Sequence, residues 1–121
     1  MHLEHVNLTV TDLDRAIRLY SDLLGLRVRW RGVGGDGTPA AHLGDDRSYL
    51  AFFEAKAPGR FEKDYGVAGL NHFAFVVEDL DASCALLRSM GLEPTDVIDY
   101  DPGRRVYFRD PDNIEVELVE Y

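Results

Sequence analysis

The chain has 121 residues, 45% hydrophobic and 29% charged, a balance that suits one compact structural domain, or two small modules sharing a core, and argues against disorder. Its 22 acidic and 13 basic side chains leave a formal net charge of -9, which repels a phosphate backbone and an anionic bilayer, so neither nucleic acid nor membrane is an expected partner. The single cysteine, Cys84, rules out an intramolecular disulfide, residues 1 to 10 do not read as a leader, and no apolar run reaches membrane-spanning length; a soluble, unprocessed, cytoplasmic protein is expected.

The first element is a period-2 segment in which Val6, Leu8 and Val10 alternate with His5, Asn7 and Thr9, as in a strand with one buried face. Asp12-Leu13-Asp14 then supplies an N-cap and an early carboxylate, so a helix is predicted from near Leu13. Ala16, Leu19, Tyr20, Leu23 and Leu24 form its core-facing stripe, and Gly25 stops it. Three strands follow, roughly Arg27 to Val33, Ala40 to Leu43 and Tyr49 to Glu54, joined by turns at Gly34-Gly35-Asp36-Gly37 and Gly44-Asp45-Asp46. The glycine-rich turn is not a phosphate cradle, because it leads from strand to strand without a neighbouring Lys.

After a polar connector the pattern returns. His72 to Asp81 lies over His5 to Asp14, aligning the histidines, Val10 with Val77, and the two Asp-Leu-Asp runs. A second helix is predicted from near Leu80, with Cys84, Leu86, Leu87 and Met90 on a less regular apolar stripe and Gly91 as its stop. Strands are predicted at Thr95 to Asp99, Arg105 to Arg109 and Glu115 to Val119. The chain therefore reads as α+β, with two tandem βαβββ modules (residues 1–56 and 70–121, linker 57–69) forming a curved mixed sheet around a pocket and helices on the outer face.

If one face of each sheet packs on its helix, the other carries the chemistry. Alternation puts His5, Asn7 and Thr9 there in the first module, and His72, Ala74, Val76, Glu115, Glu117 and Val119 in the second. Two imidazoles and one carboxylate can hold a divalent first-row ion and leave positions open for substrate, so His5, His72 and Glu117 are the expected metal ligands. Such a donor set suits Fe, Mn, Zn, Ni or Co. Asn7, Arg105 and Tyr107 are the expected substrate-binding side chains, with Glu117 and Tyr107 as the catalytic pair. His42 and His2 read as surface residues, and Trp30 as core or subunit interface.

The runs His5-Val-Asn-Leu-Thr-Val10, Tyr20-Ser-Asp-Leu-Leu-Gly-Leu26, Asn71-His-Phe-Ala-Phe-Val-Val77 and Tyr107-Phe-Arg-Asp-Pro-Asp-Asn-Ile-Glu-Val-Glu-Leu118 resemble those of the vicinal oxygen chelate superfamily. That family includes glyoxalase I, extradiol dioxygenases, fosfomycin-resistance proteins and bleomycin-binding proteins. The closing turn departs from the common Asp-Pro-Asp-Gly-Asn, with Asn113 able to take the left-handed conformation. The resemblance implies a metal-dependent small-molecule enzyme of dioxygenase or glyoxalase type, binding metal through the positions of His5, His72 and Glu117. It also implies a homodimer in which His5 of one chain joins His72 and Glu117 of another. Glyoxalase I-like members add a fourth carboxylate, for which Glu54 is the nearby candidate, although the repeat aligns Ala51 rather than Glu54 with Glu117. A metal-free, ligand-sequestering protein of bleomycin-resistance type is the alternative.

Overall fold

The computed structural model describes residues 1–121. Ten elements follow one another: β1 (His5–Val10), α1 (Leu13–Leu24), β2 (Arg27–Val33), β3 (Pro39–Gly44), β4 (Tyr49–Glu54), β5 (Phe73–Val76), α2 (Leu80–Ser89), β6 (Ile98–Tyr100), β7 (Gly103–Arg109) and β8 (Glu115–Glu120). They group into two units, Met1–Gly59 and Arg60–Tyr121. Each is a βαβββ module with its own four-stranded mixed sheet, ordered β1-β4-β3-β2 in one and β5-β8-β7-β6 in the other. The opening strand runs parallel to the closing strand in both, β1 beside β4 and β5 beside β8, which requires the helical crossover between the opening strand and the rest of the sheet.

The helices begin at the same point of the repeat and for the same reason. Asp12 accepts from the Arg15 backbone N–H and Asp79 from that of Ala82, satisfying donors that an unfinished first turn leaves free. A second carboxylate reaches each helix from the closing strand: Glu54 Oε2 accepts from the Leu13 N–H at 3.1 Å, and Glu120 Oε2 from that of Leu80 at 2.8 Å. The chain leaves α1 through Gly25, at φ 65°, a conformation that costs glycine little.

In the first unit Leu8 and Val10 pack with Leu13, Leu19, Tyr20 and Leu23 of α1 and Leu43, Leu50 and Phe52 of the sheet, all buried; the Tyr20 and Phe52 rings lie 5.6 Å apart. In the second, Leu80, Cys84 and Leu87 of α2 are buried, as are Val106, Phe108, Val116 and Leu118. Buried apolar side chains of this kind contribute about 1.5–3 kcal/mol each.

Several boundaries differ from expectation. The strand predicted at Thr95 to Asp99 is β6, Ile98–Tyr100: Pro94 precedes Thr95, and Thr95 makes isolated contacts with β7, its N–H donating to the Tyr107 carbonyl and its hydroxyl accepting from the Tyr107 N–H. On its other side β7 starts at Gly103 rather than Arg105, because Gly103 pairs with Tyr100 to close the hairpin. The opening strand of the second unit starts at Phe73, leaving His72 just before it. Residues from Arg60 onward fold with the second unit, where the Asn113 side chain donates to the Phe61 carbonyl at 2.8 Å. Asn113 itself has φ 64°, and the Asp110 carboxylate accepts from the Asp112 and Ile114 N–H groups, holding the closing turn.

Candidate functional site

The face of β8 turned away from α2 carries a buried polar group, and burying a charge is tolerable only where it has partners. Glu117 meets that condition. Its side chain is 9% exposed, with Oε2 3.0 Å from His72 Nε2 and Oε1 3.4 Å from Arg105 Nη1. Tyr107 lies opposite Glu117 in the β7–β8 ladder; its ring meets that of His72 edge-on at 5.2 Å, and its hydroxyl is 3.5 Å from Arg105 Nη1. Arg105 also lies over the Tyr100 ring, 3.6 Å from its centroid. Four of the expected site residues, His72, Arg105, Tyr107 and Glu117, are thus in contact within one unit.

A second carboxylate stands behind His72. Glu115 Oε1 is 3.6 Å from His72 Nδ1, while Oε2 accepts from the Tyr65 hydroxyl and pairs with Lys63 Nζ at 3.4 Å and Arg109 Nη2 at 3.3 Å. Burial acts to raise the pKa of Glu115, but the Tyr65 hydrogen bond and the charges of Lys63 and Arg109 outweigh it, leaving the carboxyl below its usual range.

The same face of the first unit is built differently. His5 pairs with Tyr49 and Asn7 with Ala51 across β1 and β4, so Ala51 stands where Glu117 stands opposite Ala74. The Asn7 side chain donates to the Ala51 carbonyl at 3.1 Å. His5 stacks on Tyr49 at 5.0 Å and its Nδ1 lies 2.9 Å from Glu4 Oε1. His42, opposite Ala51, touches both Tyr49 and Trp30, at 4.6 and 5.1 Å, and Arg29 lies over the Tyr49 ring at 4.5 Å. Burial, then the nearby Arg29 and His5, hold the His42 pKa below its usual value.

These contacts revise several sequence readings. Trp30 is 43% exposed, outside the core, because the shift of register between Val28 and Trp30 puts it on the face of His42. Glu54 points to α1, where it caps Leu13. Ala51, the residue the repeat aligns with Glu117, does stand at that position, so the first unit has no carboxylate there. The sequence reading also passed over Lys63 and Tyr65, which lie in a stretch read as connector and carry no periodicity. Their only signal is composition, a cation and a phenol shortly before an exposed-face histidine.

No group of three His, Cys, Asp or Glu side chains is gathered as a metal site within either unit. The His72–Glu117 pair nonetheless fits a divalent ion. An imidazole nitrogen and a carboxylate oxygen, each bound at about 2.0–2.2 Å on adjacent octahedral positions, stand about 3 Å apart, and their observed separation is 3.0 Å.

The family model described as Glyoxalase/Bleomycin resistance protein/Dioxygenase superfamily matches residues 2–118. A lactoylglutathione lyase from Haemophilus influenzae is 31% identical over 126 residues, covering 99% of this chain and 93% of that protein. Among solved structures, a glyoxylase/bleomycin resistance protein/dioxygenase domain from Frankia sp. superposes with a TM-score of 0.82 at 32% identity, over 99% of this chain and 91% of that one. The fosfomycin resistance protein FosX from Listeria monocytogenes, described in complex with Mn(II) and sulfate, shares the fold at a TM-score of 0.76 and 20% identity, over 99% and 92% of the two chains.

Proposed function

Because the chain belongs to the Glyoxalase/Bleomycin resistance protein/Dioxygenase superfamily, we propose that it is a metal-dependent enzyme for a small molecule with two neighbouring oxygens, with His5, His72 and Glu117 as the protein ligands. The observation that carries this reading is the 3.0 Å approach of His72 Nε2 to the buried Glu117 carboxylate. A purely structural strand has little reason to bury a carboxylate there, since apolar residues of similar volume stabilise as well or better. The Mn(II) in the FosX structure supports a divalent ion for this fold. When bound, such an ion supplies Lewis-acid stabilisation of charge developing on two substrate oxygens.

The remaining roles follow from the chain's own side chains. Glu117 contributes the negative charge of the ligand set, and Arg105 offsets it from the other side at 3.4 Å. In this reading the Tyr107 hydroxyl, 3.5 Å from Arg105 Nη1, donates a hydrogen bond to a substrate oxygen or passes it a proton. One N–H of the Asn7 amide is engaged by the Ala51 carbonyl, which leaves its second N–H and its oxygen for binding.

Three protein ligands rather than four favour a dioxygenase-type reaction, since Glu54 is engaged by α1 and the repeat supplies Ala51. The kinship with lactoylglutathione lyase at 31% identity supports glyoxalase-type chemistry as the second reading. Metal analysis of untagged, freshly purified protein tests the proposal: stoichiometric divalent metal is expected, lost in His72→Ala and Glu117→Ala. Oxygen uptake with catechols then distinguishes the dioxygenase reading from hemithioacetal turnover. Metal-free protein whose ligand affinity is unchanged by His5→Ala would sink the enzyme reading in favour of ligand sequestration.

A further inference from the structure

The segment ahead of β5 contributes two side chains to β8, and that contribution bears on how His72 can bind. Lys63 is 5% exposed at its side chain, Glu115 10%, although both are charged and the protein has a surplus of acids. Lys63 Nζ donates to the Asn71 carbonyl at 2.5 Å, next to His72, and sits 3.6 Å from the Tyr65 ring centroid. Lys63, Tyr65 and Arg109 all engage the same Glu115 oxygen, Oε2. The other oxygen, Oε1, is left facing His72 Nδ1 at 3.6 Å, and that nitrogen is buried without a hydrogen-bond partner.

We propose that Glu115, clamped by Lys63, Tyr65 and Arg109, is a positioning residue: when a metal takes the place of the direct 3.0 Å contact between His72 Nε2 and Glu117, Glu115 holds the ring proton on Nδ1 and so leaves Nε2 as the ligating atom. The inference rests on the metal-binding reading of His72 and Glu117 and deepens it. An imidazole that gives one nitrogen's lone pair to a cation carries its proton on the other, and a carboxylate acceptor there fixes the tautomer and the ring plane. With Oε2 engaged by three donors, Glu115 presents only an acceptor to Nδ1. In the first unit His5 Nδ1 faces Glu4 Oε1 at 2.9 Å, a closer approach, but that carboxylate is 64% exposed and its other side-chain hydrogen bond comes from Tyr49.

The test uses Zn2+ alone as the probe. Glu115→Gln is isosteric, yet with its oxygen kept for Lys63 and Arg109 it turns an NH2 donor toward the Nδ1 proton. Zn2+ affinity by calorimetry is expected to fall about 10–100-fold in this variant, with an unfolding profile showing a folded protein, and the 15N shifts of the zinc-loaded wild type are expected to place the His72 proton on Nδ1. Affinity within about twofold of wild type, or a proton on Nε2, overturns the proposal while leaving the ligand reading intact. If His72→Ala binds Zn2+ as well as wild type, the ligand reading fails, and the role of Glu115 with it. Because the tautomer is read on the unaltered protein, the proposal stays falsifiable even if Glu115→Gln folds poorly.

Discussion

On the face turned away from its helix, β4 of the first unit presents Tyr49, Ala51 and Phe53, where β8 of the second presents Glu115, Glu117 and Val119. The backbone is the same in both: Asn7 pairs with Ala51 as Ala74 pairs with Glu117, and Glu54 caps α1 as Glu120 caps α2. The difference lies in the side chains of that face. Where the second unit has buried carboxylates held by His72, Arg105, Lys63 and Arg109, the first has Ala51 and a row of rings, His5, Tyr49, His42 and Trp30. Duplicated modules keep what stabilises them and diverge on the face their core does not need.

That contrast can be broken at its strongest point first. Glu117→Ala turns the second unit into a copy of the first at this position. Bound divalent metal is expected to be lost altogether by elemental analysis, and the Arg105 guanidinium loses its nearest carboxylate. Ala51→Glu runs the experiment in reverse. Position 51 is 6% exposed, so the larger, charged side chain is expected to destabilise the metal-free protein by about 1–3 kcal/mol in denaturant titrations; partial recovery on adding divalent metal would show that the first unit accepts a fourth ligand.

Smaller effects test what the units share. Glu54→Ala and Glu120→Ala each remove a carboxylate from the first turn of a helix, and each is expected to cost about 1 kcal/mol, with metal content unchanged. Metal loss in Glu54→Ala alone would contradict its assignment to α1. The smallest expected effect concerns Asp36 in the β2–β3 turn. The Lys56 ammonium first, then the Thr38 contacts, hold the Asp36 pKa well below its usual value of 3.8. A depressed carboxylate stabilises the fold above its unfolded pKa, and that stability is lost as pH falls through the folded one. Asp36→Asn is therefore expected to lower stability slightly at neutral pH in denaturant titrations and to flatten the acid limb below about pH 4, where the two proteins converge.

Much of this was legible before any coordinates. The repeat placed both helices, since Asp12 and Asp79 cap at the residues where the apolar stripe begins, and alternation put His72, Tyr107 and Glu117 on one face, where they touch. Of the two readings of Trp30, core and subunit interface, the core one falls because a register shift between Val28 and Trp30 leaves no trace in residue order. Lys63 and Tyr65 were invisible because their partner, Glu115, lies about fifty residues on, and an aperiodic segment carries no sign of what it will cover.

By itself the sequence determined the periodic features: the βαβββ repeat, the caps, the core stripe, and the face on which His5, His72 and Glu117 lie, because each depends on neighbours within a few residues or on the chain's likeness to its own other half. Only the tertiary structure decided which carboxylates serve which purpose. Glu54 and Glu120 serve the helices, Glu117 meets His72 and Arg105, and Glu115 is bound by Lys63, Tyr65 and Arg109. A glutamate's role is set by the partner that lies within about 4 Å when the chain closes, and that partner is distant in sequence.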